Sequence, residues 1–203
     1  MVDPIVLAAF IPAALALNLT PGADMMFCLG QGLRAGPKAA WLASAGIATG
    51  GMIHVAMAGL GLSALVASVP WAFDVIRWIG VGYLLWLAWQ ALRAAPPADA
   101  PPKGAARDAF RSGLLVNLTN PKVILFVLAF VPQFVRPEAG SVLGQFLVFG
   151  AVIGIGGFVI NGLVGVFAGS AGQRLARGSR ILDYLTAGIF AALAARLAVL
   201  EKA

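Results

Sequence analysis

The chain has 203 residues, 61% of them hydrophobic and 11% charged, with a formal net charge of +6 and a mean hydropathy of +0.93. Soluble domains of ordinary composition are far less apolar, so this is the sequence of an integral membrane protein. A single cysteine, Cys28, excludes an internal disulfide or a CxxC site, a single histidine, His54, excludes a histidine metal cluster, and the scattered basic residues offer nucleic acid no aromatic-interleaved face.

The N-terminus carries Asp3 and no Lys or Arg before the first apolar run, so that run is predicted as a retained helix rather than a cleaved signal. Stretches of bilayer length follow at 5–33 (broken at Pro21), 39–66, 72–92, 111–135 (broken at Pro121), 141–169 and 181–200. The one sizeable hydrophilic connector, 93–107, holds Pro96, Pro97, Pro101 and Pro102 and reads as a linker. The expected fold is all-α: a polytopic membrane protein of six transmembrane helices. It divides into a three-helix unit at 1–92, a cytoplasmic Pro-rich linker at 93–110 and a second three-helix unit at 111–203.

The first and fourth spans share a signature. NLTPGAD occupies 18–24 and NLTNPK occupies 117–122. Proline lacks an N–H and clashes with the preceding turn, and a membrane helix interrupted in this way survives only where protein or a polar cavity re-satisfies its backbone. GGMIH at 50–54 then matches GGFVIN at 156–161, and Gly82 matches Gly188, with a small insertion assumed near 136–141. Three spans per unit is an odd number, so two copies of one fold enter the bilayer in opposite directions. Paired broken helices in inverted repeats point to a secondary transporter with its site between the repeats.

Lys and Arg gather on one side: Arg34 and Lys38, then Arg93, Lys103, Arg107 and Arg111, then Arg174, Arg177 and Arg180. The opposite side has Arg136, Arg196 and Lys202. The positive-inside rule places the rich side in the cytoplasm and both termini in the periplasm.

Asp24 lies in an apolar segment, where a charge costs at least about 2.5 kcal/mol unless it faces protein or a water-filled cavity. It can receive a substrate ammonium or carry a proton. Lys122 follows Pro121 at the start of a half-helix, where the helix dipole adds positive charge and a carboxylate is favoured. On facing walls the two would present the charge pattern of a free amino acid. They could equally pair with each other as a structural ion pair, or alternate between the two states.

Asn18, Pro21, Gly22, Asp24, Asn117, Asn120, Pro121 and Lys122 are therefore the candidate substrate-binding residues, and Asp24 and His54 the proton-coupling candidates. Asn18, Thr20, Asn117, Thr119 and Asn120 can instead cap the half-helices or hydrogen-bond orphan carbonyls. His54 can be a neutral interhelical hydrogen-bonding group. Asn161 reads as interhelical glue, and Cys28 as a small apolar side chain. Gly46, Gly50, Gly150, Gly154, Gly165 and Gly169 read as close-packing positions that also allow a homodimer. Arg77 and Asp183 read as locally paired or snorkelling charges, and Trp71, Trp78, Trp86 and Trp89 as interface anchors.

The joint pattern resembles the lysine exporter and homoserine/threonine efflux (LysE/RhtB) family of bacterial amino-acid exporters. The matching residues are NLTPGAD, Gly32-Leu33-Arg34-Ala35-Gly36, GIATGGMIH at 46–54, Tyr83-Leu84-Leu85 with Leu92-Arg93, Phe110-Arg111-Ser112-Gly113, Asn117, Asn120-Pro121-Lys122 and Pro132-Gln133-Phe134-Val135. The resemblance implies efflux of small amino acids or derivatives across the inner membrane, driven by the proton-motive force without ATP. The expected substrates are homoserine/threonine-like, lysine-like or other neutral amino acids. It maps the family's proline-glycine element to Pro21 and Gly22 and its carboxylate to Asp24. The chain departs at Ala23, where the family commonly has a second proline, and at Gly51, where it often has an acid.

The expected partners are an amino-acid substrate, protons and the bilayer, with no cofactor, metal or nucleic acid. A metal-cation exporter of related architecture is the alternative, but it would need clustered intramembrane carboxylates or thiolates. An intramembrane enzyme would need a nucleophile with its base or an HExxH motif, and the sequence contains neither.

Overall fold

The computed structural model describes residues 2–68 and 108–167, together with isolated helical positions between 78 and 93 and between 184 and 195. Residues 94–107, Trp71, Arg77, Gly169 and Asp183 lie outside them, as does most of the third and sixth predicted spans. Every described element is helical.

Asp3 opens the first helix, α1 (Pro4–Leu19), by accepting the Ile5 N–H at 2.7 Å, with Pro4 at the first helical position. The helix runs on through Pro12 and stops at Thr20. After Pro21 and Gly22, α2 (Ala23–Ala35) leaves at 53° to α1. It ends on Gly36, whose φ of 83° is the left-handed cap that glycine adopts without strain.

The long helix α3 (Pro37–Ser68) has 32 residues, about 48 Å at 1.5 Å per residue, and so exceeds the hydrocarbon thickness. The second interrupted pair is α4 (Ala109–Leu118) and α5 (Pro121–Ala129), bent by 54°. Two 3-10 turns, Val131–Phe134 and Pro137–Ala139, lead to α6 (Val142–Val166), which begins on a Ser141 cap. Gln145 pins the connecting loop by accepting the Arg136 N–H and donating to the carbonyls of Arg136 and Gly140.

Two helices alone, and four spans if each bent pair counts as one, have the length and apolarity to cross a bilayer among the described residues. The chain is a multi-pass membrane protein on that basis. Four of the predicted spans thus coincide with helices, the fourth starting two residues earlier than expected. The two bends are not kinks within continuous helices. Pro21 lies in a gap between two helices, and Pro121 opens α5 at its first position, where a missing N–H costs nothing.

Lipid tails are as apolar as leucine, so helices associate here through close packing rather than exclusion from water. Gly46 of α3 lies against the Phe110 carbonyl of α4, while Gly113 of α4 lies against the Ala43 carbonyl of α3, so a Cβ on either would run into backbone. Gly32 and Gly165 hold α2 to α6 in the same way, and Ser44 Oγ donates to the Phe158 carbonyl to tie α3 to α6.

A second cluster joins Phe10 of α1 to Phe126, Phe130, Phe134 and Phe149, with centroids 4.7–6.5 Å from Phe10. All five rings are buried. Trp78, Trp86 and Trp89 are exposed, and Arg93 stacks over Trp89 at 4.0 Å, as expected of interface anchors.

Replacing Gly46 by Leu should force α3 and α4 apart at a cost of about 3 kcal/mol, the upper range for overpacking. Thermal unfolding of the purified protein in detergent checks this. Gly61→Leu, at a glycine with open space around its Cβ, should leave the midpoint within error.

Candidate functional site

Both interruptions free backbone groups, and each is satisfied differently. At the first, Thr20 Oγ1 bonds back to the Ala16 carbonyl at 2.6 Å, and Lys122 Nζ crosses from α5 to donate to the carbonyls of Leu17 (3.2 Å) and Thr20 (2.9 Å). The ammonium thus sits on the negative end of the α1 dipole. Gly22 makes room for it, because a Cβ there would stand 3.1 Å from Lys122 Nζ. At the second, Asn120 caps α5 by accepting the Lys122 N–H at 3.0 Å, and Thr119 Oγ1 bonds back to Leu115 at 2.9 Å.

Of the five polar residues flanking the breaks, Asn120 caps the start of α5, and Thr20 and Thr119 return their hydroxyls to last-turn carbonyls. Asn18 and Asn117 reach instead across to the other half. Asn18 Nδ2 donates to the Ile153 carbonyl of α6 at 3.1 Å, and a Cβ on Gly156 would approach that nitrogen to 2.7 Å. Asn117 lies against Gly50 of α3, where a Cβ would approach its Oδ1 to 2.8 Å. Each asparagine of the repeated NLT signature therefore rests on the first glycine of the opposite half's GG pair.

Asp24, in the first turn of α2, accepts the Asn117 Nδ2 hydrogen at 2.9 Å on Oδ2. Its Oδ1 is buried without a hydrogen-bond partner, as is Asn117 Oδ1. The residues are 7% and 2% exposed, so these are two acceptor oxygens withdrawn from solvent. Gly22 contributes no side-chain cap, and the positive end of the α2 dipole acts on the Asp24 carboxylate directly. His54 Nε2 donates to the Asn117 carbonyl at 3.3 Å, which links the histidine to the second break.

Asn18, Asp24, Asn117 and Lys122 converge on one cavity, which has about 30 Å³ available to water centres. Pro21, Gly22, Asn120 and Pro121 do not line it; they shape the breaks that bring the other four there. His54 also stands behind the wall, one hydrogen bond removed.

Sequence reasoning missed the rest of the lining. Leu17, Met25 and Val123 flank the charged pair, α3 supplies Ile47, Ala48 and Gly51, and α6 supplies Ile153, Gly154, Gly157 and Asn161. The adjacency of Gly50-Gly51 and Gly156-Gly157 was the available signal, since one glycine of each pair seats an asparagine and the other borders the cavity. Asn161, expected as interhelical glue, is on the cavity wall. Among the described residues no three His, Cys, Asp or Glu side chains gather as metal ligands.

Residues 15–201 match the family model described as LysE type translocator. The chain is 32% identical over 171 residues to the homoserine/homoserine lactone efflux protein of Salmonella typhi, covering 83% of this chain and 81% of that protein. It is 29% identical over 200 residues to the leucine efflux protein of Enterobacter sp. (strain 638), covering 95% and 94%. It is also 36% identical over 145 residues to an uncharacterized membrane protein of Vibrio cholerae, covering 70% of each. No solved structure matches.

The Asn117–Asp24 hydrogen bond should show a coupling of about 1–3 kcal/mol in a double-mutant cycle, because removing one partner leaves a buried polar group bare. Asn117→Leu and Asp24→Leu should each destabilise the protein, and the double variant should lose less than their sum. Additive losses in detergent unfolding would show that the two side chains do not depend on each other.

Proposed function

The chain belongs to the LysE type translocator family, and from that membership and the cavity we propose that it is a secondary transporter exporting neutral amino acids or their derivatives across the bacterial inner membrane. Export is driven by the proton-motive force and proceeds by alternating access between two inverted three-helix repeats, with both termini periplasmic. The relatives named for homoserine, homoserine lactone and leucine efflux point toward substrates without a charged side chain.

One observation carries this reading: Asp24 from the first half and Lys122 from the second stand on the walls of a single cavity at the two helix breaks. A substrate ammonium would take Asp24 Oδ1 and Asn117 Oδ1, the two buried acceptors without donors that belong to cavity-lining residues. A substrate carboxylate would draw Lys122 Nζ away from the Leu17 and Thr20 carbonyls, so binding and loosening of the first break are one event. The ammonium on the wall also weighs against a metal cation as cargo.

The room for water centres, about 30 Å³, admits water and no amino acid, so the helices must part for the substrate to enter. The two near-equal bends and the reciprocal asparagine-on-glycine contacts support the inverted repeat. Such a pair can exchange roles when the cavity changes sides. The phenylalanine cluster around Phe10 fits a seal at the periplasmic end, the side to which the charge pattern assigns Arg136. Asp24 is the proton carrier in this scheme. Gly51 offers no second acid, and His54 acts on Asn117 from outside the cavity.

Asp24→Asn should lower amino-acid export about 10- to 100-fold, the worth of a hydrogen bond to a charged group, while membrane abundance stays constant. Export from uncoupler-treated cells should stop in the wild type. Lys122→Gln should erase the preference for free amino acids over their esters. Undiminished export by Asp24→Asn, or uncoupler-insensitive export, would remove the proton mechanism.

A further inference from the structure

Two polar side chains reach α6 from other helices, and both are spent on its backbone: Asn18 Nδ2 donates to the Ile153 carbonyl and Ser44 Oγ to the Phe158 carbonyl. Asn161 is the polar side chain that α6 itself contributes to the cavity wall, and among the described residues no hydrogen bond reaches its amide. The residue is 5% exposed. An amide at membrane depth that held two helices together would have a partner on one of them. One left bare is costly unless water or a ligand takes the partner's place.

Side chains on a helix lean toward its N-terminus, over the residue four positions back. Four back from Asn161 is Gly157, which has no side chain to cover the amide. A Cβ on Gly157 would stand 3.9 Å from Asn161 Nδ2 and 3.1 Å from Asn18 Oδ1, so the amide nitrogen lies beside Asn18, at the α1 end of the cavity. Lys122 Nζ is held at that same end by the Leu17 and Thr20 carbonyls. The backbone under Asn161 is braced from α3, because Trp41 fills the space at Gly162 and its ring lies 4.9 Å from that of Phe158.

We propose that Asn161 Nδ2 is a donor to the substrate carboxylate, the neutral partner of Lys122 at one end of the bound amino acid. The inference rests on the export reading above and adds a contact to it. Asp24 and Asn117 already offer two bare Oδ1 acceptors to the substrate ammonium. What a zwitterion still needs is donors for its two carboxylate oxygens. Lys122 must leave two carbonyls to supply one, whereas Asn161 gives up no bond within the protein. Asn161 therefore takes the carboxylate first, and Lys122 follows as the first break loosens. The contact recognises a group common to all amino acids and is blind to the side chain.

Efflux of preloaded radiolabelled leucine, alanine and homoserine from proteoliposomes, with thermal unfolding in detergent alongside, tests the assignment. Asn161→Leu should raise KM about tenfold or more for all three substrates, the worth of a hydrogen bond to a charged group. The unfolding midpoint should stay unchanged, because no bond within the protein is lost. If that variant does not reach the membrane, Asn161→Ala decides by the same two readouts. An unchanged KM overturns the proposal, and a lowered midpoint beside it assigns the amide to helix packing. A rise confined to homoserine overturns it as well, since the amide would then be reading the side-chain hydroxyl. A wild-type protein that moves none of the three overturns the export reading itself.

Discussion

A membrane helix that stops halfway must have its freed carbonyls satisfied by protein, because the bilayer core contains no water to do it. Lys122 meets that demand at the first break from the opposite half of the chain, donating to Leu17 and Thr20. The position of the ammonium follows from this bond, and the glycine at 22 keeps it uncrowded, since a Cβ there would stand 3.1 Å from Lys122 Nζ. A structural requirement has therefore put a positive charge beside the cavity that a carboxylate-binding site would use.

The same economy governs the asparagines. Each NLT signature sends its asparagine across to the other half, one to the Ile153 carbonyl and one to the Asp24 carboxylate, and each rests on a glycine that leaves space for it. Asp24 in turn has one oxygen committed to Asn117 and the other bare. The small residues of α3 and α6 work in two registers: Gly50 and Gly156 seat the asparagines, while Gly51 and Gly157 border the cavity.

Much of this was legible in the residues. Apolar runs of bilayer length located α1 through α6, and the repeated NLT signature located both interruptions, because few arrangements of proline and polar side chains are tolerated at membrane depth. Asp24 and Lys122 stood out for the same reason. Proline alone was a poor guide: α1 passes through Pro12 without stopping, whereas Pro21 lies in a gap followed by glycine and Pro121 begins a helix. The capping or carbonyl-bonding role expected of five polar residues held for Asn120, Thr20 and Thr119, and not for the two asparagines of the NLT signature. Capping is a local possibility, and the tertiary fold offered Asn18 and Asn117 partners more than 90 positions away in the chain.

Composition and periodicity determined that the protein is helical, lives in a bilayer and carries two interrupted spans with one acid and one base beside the breaks. These are properties of single segments, set by the cost of exposing polar backbone or charge to hydrocarbon. Which side chains share a cavity, and which carbonyls Lys122 serves, were decided only by the way the helices cross one another. Such contacts depend on distances between helices, and the spacing of residues along one helix does not contain them.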